Sequence, residues 1–383
     1  MEFLGYKRSD GSVGTRNYVL VMSSVACANG VVEAIGRALP EVVTVTHGYG
    51  CGIGPQDLTV SYRALVGLLN NPNIGAALVI GLGCETLGSP AIMQSIREKP
   101  AECLVIQQSG GSAPTTKKGI EIAEEFLRTL DGQERVPTPV SELIIGLECG
   151  GSDAFSGVTA NPAVGAAADL LAAEGATVIL AETTEMIGTV HILKRRAATP
   201  EIGEQVERLV NEQEKLVRAS LGDMAGMVIA PGNIEGGLSS ITEKSLGCIM
   251  KGGTTPIQEV LDYAERPSKR GLVIMDTPGY DIDSMAGLGA AGAQMILFTT
   301  GRGSTAGFPA VPVVKISSNS RTYNNMPDDM DVNAGTIIDD GKTIEELGQE
   351  ILDLSIEVAN GKQTCAEINK SAPYNYLKQG PTF

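Results

Sequence analysis

The sequence predicts an α/β protein of two domains, each on a mainly parallel sheet with helices on both faces and its active site at the carboxyl ends of the strands. Three observations predict it. Short apolar runs that suit strands buried on both faces alternate with helical patterns, the rhythm of βαβ units. Forty-seven glycines exceed the usual share, as many tight strand-to-helix turns require. The 383 residues suffice for two cores. The polar segment Gln133–Pro139, with two prolines, is the best linker in the chain. It places the boundary near residue 137, giving domains of residues 1–137 and 138–383.

Taken in order, Gly5–Tyr18 is polar with turn signals at Asp10-Gly11 and Val13-Gly14, and it delivers Arg16 and Asn17 to a first strand, Tyr18–Ser23. A unit then recurs. Tyr18–Met22 leads to Cys27, Val42–Thr46 to His47-Gly48-Tyr49-Gly50-Cys51, and Ala77–Ile80 to Gly81-Leu82-Gly83-Cys84-Glu85. Leu143–Leu147 leads to Glu148-Cys149-Gly150-Gly151-Ser152-Asp153. Helical patterns at Gly30–Leu39, Leu58–Leu69 and Ser89–Glu98 lie between the first units. Parallel strands joined by right-handed crossovers point their ends one way, so the four thiols are expected along one edge. Cys103 begins its strand, Cys103–Gln107, and reads as core. Lys117–Leu130 is a helix closed by Asp131-Gly132.

Beyond the linker, an Ala-rich helix spans Ala163–Gly175, and the strand Thr177–Ala181 ends in Glu182-Thr183-Thr184-Glu185. Thr199-Pro200-Glu201 is an N-cap, a proline at N1 and an acid, starting a helix that runs to about Leu221. A helix is expected over Ile241–Met250, and strands Leu272–Met275 and Met295–Thr299 deliver Asp276 and the turn Thr300–Ser304. Thr343 and Glu346 form a capping box for a helix reaching Ala359.

Bulk properties exclude several functions. A formal charge of −16 argues against nucleic acid, whose phosphates need a surplus of Lys and Arg. No apolar stretch is long enough to span a bilayer and no signal peptide opens the chain, so a cytoplasmic protein is expected. The seven cysteines are odd in number and show no CxxC, which argues against a disulfide framework and a zinc ribbon. With two histidines only, His47 and His191, a His-rich metal site is impossible.

Cys27, Cys51, Cys84 and Cys149 could hold a [4Fe–4S] cluster with one open iron, a single Fe(II) shared with His47 and carboxylates, or zinc, or could stay as buried free thiols. His47, in a glycine loop, suits a metal ligand or general base. His191 lies beside Lys194, Arg195 and Arg196, and Glu182 and Glu185 are three apart just past a strand. Asp276, Arg302 and Ser304 end strands in glycine turns, a setting for substrate contacts, and Arg302 suits a carboxylate. Lys244 or Lys251 could be a base or a simple surface charge.

Several stretches together resemble the altronate/galactarate dehydratase family: GSVGTRNYV, THGYGCG, GLGCE, ECGGSDAFSGVTANPAVGAA, AETTEMIG with His191, EKSLG, KGGTT, MDTPGYD, FTTGRGS and DMDVNAG, from residue 11 to about 335. The resemblance implies a lyase that removes water from a sugar acid to give a 2-keto-3-deoxy acid, and an iron requirement with manganese as a possible substitute. The four strand-end cysteines match the family pattern, and we expect metal on Cys51, Cys84, Cys149 and Cys27, acid–base work by His47, His191, Glu182 and Lys244, and substrate contacts by Arg16, Asn17, Asp153, Asp276, Arg302 and Ser304. The family's sugar-acid dehydratases carry a small SAF-type domain, so the chain is similar to a large subunit with a separate small partner, in a homo-oligomer. One position departs: Ile234 stands where those dehydratases typically have lysine, and this loop is similar to the sulfolactate sulfo-lyase large subunit, which eliminates sulfite. A non-catalytic iron- or thiol-binding module is the alternative of another class.

Overall fold

The computed structural model describes residues 1–222, 224 and 228–383. Six strands come from the first part of the chain: β1 Glu2–Lys7, β2 Val13–Gly14, β3 Tyr18–Ser23, β4 Val43–Val45, β5 Ile74–Gly81 and β6 Ala101–Val105. Eight follow: β7 Val136–Pro139, β8 Ile144–Cys149, β9 Thr177–Leu180, β10 Ile257–Leu261, β11 Gly271–Met275, β12 Met295–Thr300, β13 Val313–Ser317 and β14 Val332–Asn333. They form a four-stranded parallel sheet, β4-β3-β5-β6, and a seven-stranded parallel sheet, β10-β11-β9-β8-β12-β13-β14. A three-stranded antiparallel sheet, β2-β1-β7, lies beside them.

The expected α/β architecture is present, with an internal difference. Cys149 ends β8, which belongs to the larger sheet, whereas Cys27, Cys51 and Cys84 follow β3, β4 and β5 of the smaller one. The segment read as a linker is in part a strand: Val136–Pro139 pairs with Glu2–Gly5. Its prolines are tolerated because β7 is an edge, where a missing N–H interrupts no ladder.

Both sheets are sandwiched by helices because their strands are apolar on both faces; all eight residues of β5 are buried. One face of the large sheet packs on helices Ala160–Ala173 and Ile344–Ala359. Its other face shares a continuous core with the small sheet, in which Leu20, Met22 and Val79 join Val273, Met275 and Phe298. Helices Pro55–Leu69 and Asp281–Ala290 pack against each other in that shared layer. The outer face of the small sheet is covered by Asn29–Ala38 and Ser112–Asp131.

The caps act as the sequence implies. Thr199 accepts the Ile202 N–H at the start of Pro200–Leu221, and Thr343 and Glu346 exchange both bonds of their capping box. The helix expected over Ser89–Glu98 is only Ser89–Met93, because Ile92 is the sole buried residue between 91 and 100 and nothing holds a longer apolar face. No described helix is long and apolar enough to cross a membrane.

Candidate active site

At the C-terminal edge of the small sheet, three strand ends converge. Cys27 sits in the turn Ala26–Ala28, and the loop after β4 folds over it, with Ala26 N–H donating to Tyr49 O at 2.8 Å. Thr86 N–H, after β5, donates to Gly50 O at 2.9 Å and ties in the third loop. Gly50 has φ +125°, and a Cβ there would fall 2.6 Å from Val25 Cα, so no other residue fits this crossing. Cys27, Cys51 and Cys84 are free and exposed. Burial, then the proximity of Cys84, Cys27 and Glu85, pushes the Cys51 thiol up. Three exposed thiols on neighbouring loops of one edge suit a thiophilic cation, which favours their thiolate forms.

His47 is held otherwise than expected. Its Nε2 lies 3.0 Å from Ser23 O, and its Nδ1 accepts the Tyr49 N–H at 3.2 Å. Nε2 therefore carries the proton, and both nitrogens are engaged by backbone. Burial pushes His47 down to about 4, so it is a neutral post beneath the thiol loop, with no nitrogen free for metal or proton transfer.

The large sheet presents a different rim. The ends of β8 and β9 bring Glu148, Cys149, Glu182 and Glu185 together with Lys244, Cys248 and Lys251 from the helical segment Ile241–Gly252 and with Asp281 at the start of its helix. Lys251 donates to Glu182 Oε2 at 2.8 Å, with side-chain exposures of 1% and 0%. Lys244 pairs with Glu185. Burial alone would raise the Glu185 carboxyl, but Lys244 and then Lys251 hold it at about 2. The same pairing keeps Lys244 above its ordinary value against the pull of burial.

A second group is acidic. Ligand oxygens of Glu148, Glu182 and Asp281 lie within 4.8 Å of one another. Burial, then the neighbouring Glu182, pushes the Glu148 carboxyl well above its ordinary range, which favours its protonated form. Asp281 is pushed up to about 7, by burial first and by Glu182 and Glu185 next. Thr277 accepts the Glu182 N–H at 2.7 Å and bonds Ser284, which donates to Glu148 Oε2 at 2.7 Å. This chain holds Glu182 at φ 68°, a left-handed conformation that costs a non-glycine residue energy. Gly150 lets Asp281 in: a Cβ there would lie 2.1 Å from Asp281 Oδ2.

Cys149 stands in this cluster and not on the open thiol edge. Its Sγ donates to Glu185 at 2.8 Å and lies 3.5 Å from Cys248 Sγ. Burial, then Cys248, raises the Cys149 thiol well above its ordinary value. A cavity of about 340 Å³ opens beside the cluster, lined by Ser152, Asp153, Ser156, Asn161, Lys244 and Cys248. The two rims are connected: the Asn375 amide donates to Tyr49 Oη at 3.2 Å, on the thiol loop, and to Asp283 at 2.9 Å, on the helix that begins with Asp281.

Of the other expected site residues, Asp153, Asp276, Arg302 and Ser304 follow β8, β11 and β12 on the same rim as the cluster, and Arg16 and Asn17 do not. Arg16 and Asn17 precede β3 and so lie at the end of the small sheet away from the thiols, about 20 Å along a six-residue strand. Instead of holding a substrate carboxylate, Arg16 is buried against Glu367 at 2.8 Å and three backbone carbonyls, and Asn17 binds Arg8. Asp153 accepts from Ser156, Ser318 and Asn319 and staples its loop to the end of β13. Asp276 accepts from Thr183, Ser304 accepts the Ala306 N–H, and Arg302 pairs with Glu235 at 2.9 Å. His191 is exposed on helix Val190–Arg195.

Sequence reading missed Glu148, Cys248 and Asp281 as site groups. Asp281 carried a usable signal, the strand-end turn Asp276–Asp281; Cys248 carried none, since it closes a helix.

Comparison with known proteins agrees with this architecture. The family description "D-galactarate/Altronate dehydratase, C-terminal" matches residues 140–382, and "D-galactarate dehydratase/Altronate hydrolase, second domain" matches residues 5–131. The chain is 39% identical to the galactarate dehydratase (L-threo-forming) of Escherichia coli, over 94% of this chain and 73% of that protein. It is 34% identical to the altronate dehydratase of Bacillus subtilis, over 100% of this chain and 78% of that protein. It is also 34% identical to the (2R)-sulfolactate sulfo-lyase subunit beta of Chromohalobacter salexigens, over 95% and 94% of the two chains. The chain belongs to the galactarate/altronate dehydratase family.

Proposed function

We propose that this protein is a hydro-lyase that dehydrates an altronate-like sugar acid to a 2-keto-3-deoxy acid. The observation that carries the reading is Asp281, a carboxyl pushed up to about 7, grouped with Glu148, whose carboxyl is pushed up as well, and near Lys244, at the strand ends where α/β sheets bind ligands. Lys244, at the wall of the cavity, receives the substrate carboxylate and stabilises negative charge as it spreads from the α-carbon. Asp281 takes the α-proton, and the departing hydroxide leaves as water with the proton carried between Glu148 and Glu182. The enol that remains tautomerises to the keto acid, and Asp281 returns its proton to the carboxyl pair. Lys251 balances Glu182.

Iron fits the donor set of three free thiols, Cys27, Cys51 and Cys84, and would supply Lewis acidity toward a substrate hydroxyl. A small second subunit and assembly with further copies of the chain belong to the same reading. The former is supported by the relative that is itself a subunit beta. Elimination of sulfite from a sulfo-hydroxy acid is a second reading, favoured by the match across 94% of that subunit.

The test is anaerobic purification with iron loading, then incubation with altronate, galactarate or sulfolactate and assay of keto acid and sulfite. Keto acid without sulfite is expected, with a loss of at least about 100-fold in Asp281→Asn. Sulfite release from sulfolactate moves the assignment to the second reading. No product from any of the three overturns both.

A further inference from the structure

At the opposite ends of the strands lies a cleft of about 530 Å³ between the two parallel sheets. It is lined by groups just before strand starts: Pro72 ahead of β5, Ser141–Leu143 ahead of β8, Arg266–Arg270 ahead of β11 and Gln294 ahead of β12. Gln294 closes its floor across the junction, donating to Glu142 O at 3.1 Å and to Val13 O.

The cleft concentrates positive charge in a chain whose net charge is −16. Arg97, Arg266, Lys269 and Arg270 line it against two carboxylates, Asp10 and Glu142. Asp10 is occupied by Arg97 at 3.3 Å and Glu142 by Arg270 at 2.7 Å. Arg266 is half-buried, and among the described residues its guanidinium has no ion pair or hydrogen bond. Burial, then the nearby Arg97, lowers the Arg266 guanidinium from its ordinary value, with Asp10 pulling the other way. Two guanidiniums from different domains that line one cleft, one of them without a partner among the described residues, are in an arrangement that a ligand with several anionic oxygens bridges.

We propose that this cleft binds a small polyanion, bearing phosphate or carboxylate groups, between Arg97 of one domain and Arg266 with Lys269 of the other, and that the bound ligand clamps the two domains together. The site is separate from the acid–base cluster by the length of the strands, so the proposal stands independently of the reaction assigned above.

The experiment is titration calorimetry on the full chain without substrate, at constant ionic strength. Fructose 1,6-bisphosphate is the phosphate probe and tricarballylate the carboxylate probe. One saturable site is expected with at least one probe, together with a rise in Tm. Affinity falls at least tenfold in Arg266→Ala and in the exposed Lys269→Ala, while turnover without the probe is unchanged. Preference between the probes assigns the acid group of the natural ligand. No saturable binding of either, or binding of equal strength in Arg266→Ala, overturns the proposal.

Discussion

The two C-terminal rims are built from similar strand ends and differ in nearly every physical respect. The small sheet exposes three thiols on short glycine loops, held by backbone hydrogen bonds and a neutral histidine. The large sheet buries three carboxylates, two thiols and a lysine under a helical segment, where every charge depends on another. The difference teaches that exposure decides which chemistry similar strand ends can support. Thiols left in water can exchange a metal with little cost to folding, whereas carboxyls removed from water acquire the shifted values that acid–base chemistry needs.

This contrast can be broken. Lys251→Met leaves Glu182 in the interior without its cation and is expected to cost about 3–5 kcal/mol by urea denaturation. A cost below about 1 kcal/mol would mean the buried rim tolerates unbalanced charge, and the distinction would fail.

His47 tests the open rim through pH. Its folded value of about 4 is below its ordinary 6.5, so between the two the unfolded chain binds a proton that the folded chain does not. Stability from this group is whole above pH 6.5 and falls with pH toward 4, by about 1.4 kcal/mol per pH unit. His47→Gln removes that component, and stability curves measured at pH 6.5 and 4.5 are expected to converge relative to the parent. Equal slopes in both proteins would show that His47 is not buried neutral.

The smallest effect sharpens the contrast most. Cys51→Ser in metal-free protein is expected to alter stability by no more than about 0.5 kcal/mol, as at an exposed site, while iron bound after anaerobic loading falls sharply. If stability dropped as far as in Lys251→Met, the thiol edge would be part of the packed interior.

Much of the framework was readable from residues alone. Parallel strands buried on both faces leave continuous apolar runs, so β3, β5, β8, β9, β11 and β12 stand out, and Thr199 and Thr343 announce their helices. The strands β1, β10 and β13 do not stand out, because polar residues interrupt them; β13 even buries Lys315.

For the site, local order determined that a thiol follows each of four strands, and that Glu182 and Glu185 end a fifth. Only the tertiary structure decided which sheet each strand joins, and so parted Cys149 from the other three and gave it Cys248, 99 residues away, as its neighbour. It likewise spent Arg16 on Glu367, 351 residues distant, and brought Asp281 to Glu148. The physical reason is that apolar pattern and turn chemistry are local and leave their mark along the chain. Desolvation and charge pairing depend on what packs overhead, and that is settled only when the sheets and helices close on one another.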